Sequence, residues 1–250
     1  MPHPASEVGG DFDGAPAVGV ELRPSAEDVS RARFLKEARM RIAIIGAGHV
    51  GQTLGRRWAE RGHTIVYGVR EPEAPKSKDA ATATGHGARV ATAREAAADA
   101  EVVVLATPWE AAHDALRGAG ALGGKILVDA TNPLGGGVGE GLAVGHSTSG
   151  AEQVAGWAPA ARVVKAFNTT GWPNMKDPDY AGQPATMLVC GEDEGANRVV
   201  ADLATSIGFE AIDAGPLRIA RLLEPLAMLW IHLALVRGMG TGIAFRLLRR

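Results

Sequence analysis

A chain with one cysteine, Cys190, cannot build an internal disulfide framework or a cysteine-ligated metal site. It fits a reducing compartment, and a cytoplasmic location is expected. Aromatic residues are scarce, at 5%. Charge of one sign is lacking too: 26 Lys and Arg face 28 Asp and Glu, for a net charge of −2. No general pull toward nucleic acid or an anionic membrane follows, and no nucleic-acid partner is expected. Met1–Pro24 holds Pro, Gly and acidic groups without the apolar core of a secretory signal. The most apolar stretch, Ile219–Val236, nearly reaches the length of a bilayer span. Arg221, Glu224, Pro225 and His232 interrupt it, so a buried helix is expected and no membrane span. His49, His86, His113, His146 and His232 are scattered, and no acid–base dyad or metal site is expected from them.

What is present is a chain of 250 residues, 46% hydrophobic, with 33 glycines. Residues 1–39 read as a disordered extension: the segment opens rich in Pro and Gly and buries too little apolar surface to order itself. Its second half, Ala26–Arg39, has the composition of one charged helix, and Met40 is a candidate start codon. From there, strands and helices alternate. Strands are expected at Arg41–Ile45, Thr64–Val69, near Val90, and at Glu101–Ala106, Lys125–Asp129, Arg162–Phe167, Thr186–Cys190 and Glu210–Asp213. Helices are expected at Val50–Arg61, Thr92–Ala98, Trp109–Leu116, Ala151–Trp157, Gly195–Ile207, Leu217–Arg237 and Gly242–Leu248. Glu71–Gly87 reads as a polar connection, and the glycine-rich Leu134–Gly145 as a functional loop. Continuous apolar strands are buried on both faces. The fold class is therefore α/β: a Rossmann-like, doubly wound, mostly parallel sheet with a C-terminal helical segment. Residues 40–216 are assigned to the nucleotide-binding domain. Residues 217–250 are assigned to helices that pack on it or on a dimer partner.

The strongest chemical signal is Gly46-Ala47-Gly48-His49-Val50-Gly51. It follows an expected strand and opens an expected helix, the context in which such a glycine pattern binds a dinucleotide. Gly46 permits the turn, Gly48 lets a diphosphate approach the backbone, and Gly51 lets the helix close on the strand. Free N–H groups and the positive end of the helix dipole face the phosphates. The second strand ends in Val69-Arg70-Glu71. An acidic residue at the critical position would select NAD. Arg70 there can pair with a 2′-phosphate, which points to NADP(H). Two further loops follow strands next to the expected switch in strand order. Thr107-Pro108-Trp109 should touch the cofactor, with Trp109 either walling the site or simply packing. Asn132-Pro133 lies near the nicotinamide end, with Asn132 hydrogen-bonding the cofactor or capping its turn.

These motifs, taken in order, resemble the NADPH-dependent coenzyme F420 reductase family and the cytosolic domain of six-transmembrane metalloreductases. The resemblance rests on Ile44–Gly51, Gly68–Arg70, Thr107–Glu110, Val163–Thr169, Val189–Asp193, Asp213–Leu217, Arg221–Glu224 and Gly238–Gly240. It covers nearly everything from Met40 onward. It implies NADPH on the Rossmann half and a small planar electron acceptor, coenzyme F420 or a flavin, stacked on the nicotinamide. The cofactor ring carries the chemistry, and the protein supplies geometry and excludes water. Phe167, Asn168, Thr169 and Thr170 are the candidate acceptor-binding residues, with Met239 closing the pocket. Two departures stand out. Val69 replaces a serine common at that position. Asn168-Thr169 is closer to the metalloreductase domain than to those deazaflavin reductases that carry a histidine in this loop. A non-catalytic NADP(H) sensor and a reductase of another small acceptor remain open. The final helix has more apolar face than one sheet edge needs, which suggests a homodimer.

Overall fold

The computed structural model describes residues 39–136 and 140–250, so most of the expected extension lies outside the described residues. Eight strands form one sheet: β1 (Arg41–Ile45), β2 (Thr64–Gly68), β3 (Arg89–Ala91), β4 (Val102–Leu105), β5 (Ile126–Asp129), β6 (Arg162–Lys165), β9 (Thr186–Gly191) and β10 (Glu210–Asp213). Two short strands, β7 (Asp179–Tyr180) and β8 (Gln183–Pro184), make a separate hairpin. The sheet order is β10-β9-β6-β5-β4-β1-β2-β3. Strands β1 to β6 run parallel, whereas β9 is antiparallel to β6 and carries β10 parallel to itself. The order switches between β1 and β4, and in such sheets ligands bind at the strand C-termini beside that switch.

The alternation of β1 shows how the core is divided. Ile42 and Ile44 point into one layer with Leu54, Trp58, Tyr67 and Val104. Ala43 and Ile45 point into the other with Val103, Leu105 and Leu116. Both layers are buried, which is why β1, β4 and β5 read as unbroken apolar runs. The covering helices are α1 (His49–Ala59), α2 (Pro75–Thr84), α3 (Ala93–Ala98), α4 (Trp109–Ala119), α5 (Gly150–Trp157), α6 (Trp172–Lys176), α7 (Glu194–Ser206) and α8 (Ala220–Ile231). A capping box closes the start of α3, where the Thr92 and Glu95 side chains take each other's backbone N–H groups.

Several expectations need correction. Glu71–Gly87 is not simply a connection, because α2 occupies its middle. Pro75 presets the first turn, and the helix buries only Ala80 and Thr84, too thin a stripe to show as periodicity. Thr84 Oγ1 holds the buried Tyr67 hydroxyl at 2.7 Å. The Leu217–Arg237 helix is continuous but composite: a 3₁₀ turn, α8, and a wider turn over His232–Val236. By length and composition Leu217–Val236 is apolar enough to cross a membrane. Here one face, with Leu223, Ala227 and Trp230, packs on the domain, so the helix is half-buried rather than buried. Gly242–Leu248 is not a helix. This short segment nucleates poorly and its backbone pairs with the body instead: Thr186 N donates to Phe245 O at 3.0 Å, and Leu247 N donates to Thr186 Oγ1 at 3.0 Å.

Candidate functional site

The loop from β1 to α1 lies at the order switch. Gly46 has φ +108° and its N–H donates to Gly68 O at 3.0 Å, which ties the loop to the end of β2. A Cβ at Gly46 would collide with Ala106 O, and one at Gly51 with Gly46 O. One at Gly48 would meet nothing within 4 Å. Gly46 and Gly51 therefore serve packing, and Gly48 faces open space. Among the described residues no side chain caps α1, and its first turn holds no acidic residue. Its N-terminal N–H groups are left for an anion. Ala47 O accepts from Gln52 Nε2 at 2.6 Å, while Val50 is half-buried and His49 exposed.

The end of β2 is the neighbouring loop, since Ile45 pairs with Gly68. Val69 N donates to Ala91 O at 3.0 Å, and Arg70 follows it into solvent. Among the described residues the Arg70 guanidinium has no hydrogen-bond or ion-pair partner. Thr107, after β4, has a buried hydroxyl without a partner among the described residues. An open glycine, an uncapped helix start, an unpaired guanidinium and an orphaned hydroxyl suit a dinucleotide carrying an extra phosphate.

The other candidates divide. Pro108 precedes α4 as its cap residue. Trp109 stacks on Trp157 at 5.2 Å, and it and Pro133 crowd the space a Cβ would need at Gly150. Asn132 neither caps its turn nor stands free. Its Nδ2 donates to Asn168 O at 3.2 Å, and its Oδ1 accepts from Asn168 Nδ2 at 3.3 Å. Asn168 Nδ2 also donates to Leu223 O at 3.2 Å, while its buried Oδ1 has no partner among the described residues. The Phe167 ring is not available to an acceptor: it is 1% exposed and packs edge-on against Trp58. The contribution of Phe167 is its backbone, left-handed at φ +66°, with its N–H on Met187 Sδ at 3.2 Å. A bulky residue held there carries strain of about 1–3 kcal/mol and redirects the chain at the end of β6. Thr169 is buried, and Thr170 Oγ1 accepts from Asn174 Nδ2 at 2.8 Å. Met239 is 60% exposed, beyond the end of the last helix.

Three residues that sequence reasoning left out carry the densest chemistry. Lys165 Nζ, wholly buried at the end of β6, lies 2.9 Å from Asp129 Oδ2 and 2.9 Å from Glu224 Oε1, and donates to Thr131 O at 2.7 Å. Burial alone would lower its pKa, but the two carboxylates hold it above the ordinary lysine value. Asp129 Oδ1 accepts from Thr131 N and Oγ1. Glu224 accepts from the N–H groups of Gly150 and Ala151 at 2.9 and 3.1 Å. One ammonium thus joins the ends of β5 and β6, the start of α5 and the middle of α8. Lys165 and Glu224 lay within the family motifs, but only a lysine ending an apolar strand hinted that it was buried. Trp172, also unassigned from sequence, opens α6 and stacks on His49 at 5.1 Å. Burial pushes the Cys190 thiol up to about 12, so it is no nucleophile.

Comparison with known proteins agrees with this geometry. Residues 41–133 match the family described as NADP oxidoreductase, coenzyme F420-dependent. An F420-dependent NADP reductase of Methanocaldococcus jannaschii is 34% identical over 218 residues, covering 82% of this chain and 97% of the relative. Metalloreductase STEAP3 of Rattus norvegicus is 34% identical over 202 residues, covering 80% of this chain, which spans only 39% of that protein. A crystal structure from Arthrobacter sp. FB24, provisionally described as an F420-dependent NADP reductase, superposes with a TM-score of 0.77 at 36% identity, covering 84% of this chain and 100% of the other.

Proposed function

The chain belongs to the family of F420-dependent NADP reductases and is an NADP-dependent oxidoreductase, and on that premise we propose that it transfers a hydride between NADP(H) and coenzyme F420. The observation that carries this reading is the pairing of two unsatisfied features on adjacent strand ends. The uncapped start of α1 suits a diphosphate, and Arg70, without a partner among the described residues, suits the 2′-phosphate. Bound there, NADPH supplies a hydride to a planar acceptor ring. The residues toward β5 and β6 hold backbone in place rather than move protons: Lys165 anchors the Thr131 carbonyl, and Asn132 bridges to Asn168. That suits a reaction whose chemistry resides in the cofactor ring.

The test mixes purified protein with NADPH and, separately, F420, FMN, FAD and a quinone, following absorbance at 340 nm. Rapid oxidation with F420 alone is expected. Turnover with a flavin or quinone instead would reassign the acceptor, and tight NADPH binding with no turnover would favour a sensor. A cytoplasmic setting, where NADPH is the working reductant, fits the same reading. Two copies pair through the outer face of the last helix, where Leu222, Leu229, Leu235 and Val236 are exposed. Light scattering at micromolar concentration should give the mass of a dimer, and Leu222→Glu with Leu229→Glu should give that of a monomer.

A further inference from the structure

His49 and Trp172 open two helices, α1 and α6, that follow strands not adjacent in the sheet but pack against each other on one of its faces. His49 opens α1 after β1, and Trp172 opens α6 after β6. Strands β4 and β5 lie between β1 and β6. Yet the two rings stack, with centroids 5.1 Å apart and planes within 17°. The pair therefore lies where α1 and α6 begin, beside the C-terminal ends of β4 and β5 that carry the orphaned Thr107 hydroxyl and the Asn132–Asn168 bridge. Both rings are solvent-exposed, Trp172 at 40%, and neither makes a hydrogen bond among the described residues. Stacking is the contact between the two rings, at the end of the seam where α1 and α6 pack.

The backbone under Trp172 is held far more firmly than its ring. The Cα of Gly171 lies so close to the Trp230 indole that a Cβ there would collide with it. Trp230 Nε1 and Asn174 Nδ2 both donate to Ile243 O, at 2.6 and 2.7 Å. Asn174 also holds Thr170 Oγ1 and accepts from the Tyr180 hydroxyl at 2.8 Å. The C-terminal strand-like tail thus locks the β6–α6 loop, while the indole at its tip can part from the imidazole at the cost of one aromatic contact.

We infer that His49 and Trp172 form an aromatic clasp across the nucleotide cleft, which rests on the dinucleotide reading of that cleft, and that its opening sets how fast the nicotinamide half of NADP(H) leaves. The two are positioning residues. The adenine half, read by Arg70 on the far side of β1, lies outside the clasp.

The test is stopped-flow displacement of bound NADPH by excess NADP⁺, followed by NADPH fluorescence. Loss of an aromatic stack corresponds to about a tenfold effect. Trp172→Ala should raise the dissociation rate about tenfold and His49→Ala about threefold, with the double variant no faster than Trp172→Ala. Trp172→Phe should restore a rate close to the native one. Affinity for 2′,5′-ADP, which lacks the nicotinamide half, should stay within about twofold in the Trp172 variants, which a general loosening of the loop would not allow. A native-like NADPH dissociation rate in Trp172→Ala, or an equal weakening of 2′,5′-ADP and NADPH, overturns the clasp while leaving the dinucleotide site standing. Failure of the native chain to take up any NADPH overturns the site and the clasp together, before any variant is made.

Discussion

Of the helices that begin at the C-terminal edge of this sheet, α1 and α5 have their first turns treated in opposite ways. At α1, among the described residues, no side chain caps the helix, no acidic residue sits in the first turn, and the glycine before it faces open space. At α5 Ser149 caps from within, and the carboxylate of Glu224, arriving from α8, takes the N–H groups of Gly150 and Ala151. Each helix start has backbone donors without partners inside the helix and a positive dipole end. One stays open, and the other is filled by the chain itself. The filled one needs a buried carboxylate, which in turn needs Lys165. Groups engaged in holding the fold cannot also receive a ligand, so on the proposed reading the open start belongs to the binding half and the filled start to the scaffold half.

The largest expected effect lies on the scaffold side. Lys165→Met leaves the Asp129 and Glu224 carboxylates buried without a cation, and denaturant unfolding should show a loss of about 3–5 kcal/mol. The pH dependence has a definite sign. Because the folded pKa of Lys165 is raised, its contribution is fully present below the unfolded value of about 10.4 and is lost as pH rises through the folded value. Native stability owed to this group should therefore be flat from about pH 6 to 9. A decline through that range in the native chain, absent in Lys165→Met, would contradict the assignment.

Next come the two glycines of the open start. Gly51→Ala forces a Cβ onto Gly46 O and should cost about 1–3 kcal/mol of stability as well as NADPH binding. Gly48→Ala meets nothing in the free protein, so its stability should change by about 0.5 kcal/mol or less. Its NADPH affinity should nevertheless fall, as measured by calorimetry. If Gly48→Ala binds NADPH as the native chain does, the contrast between the two helix starts fails at its functional end. Arg70→Ala should raise the Kd for NADPH about 10- to 100-fold and leave that for NADH nearly unchanged. Equal losses for both nucleotides would remove Arg70 from phosphate selection.

The smallest effect is expected at Arg221, which pairs with Glu152 on α5 at 2.6 Å. Hydrogen bonds from Arg221 hold the Glu152 carboxyl below its usual range, but both side chains reach solvent. Arg221→Ala should lower Tm by about 2 °C or less. A drop as large as that of Lys165→Met would mean that the surface and buried pairs are not so different after all.

The sequence by itself determined the parts whose physics is local. An unbroken apolar strand, a glycine pattern and a helix start are neighbours along the chain, so the β1–α1 turn, the arginine two residues past β2 and the parallel order of strands were legible in Gly46–Gly51 and Arg70. Contacts between distant residues were decided only by the tertiary structure. Asp129, Lys165 and Glu224 are far apart in sequence, and nothing in their spacing says that one ammonium will serve two carboxylates. Phe167 looked like a pocket residue because it ends a strand, yet a left-handed backbone turns its ring onto Trp58. Gly242–Leu248 looked helical by composition, but Thr186, Trp230 and Asn174 offered its backbone other partners. Local preference amounts to a fraction of a kcal/mol per residue, and a set of long-range hydrogen bonds outweighs it.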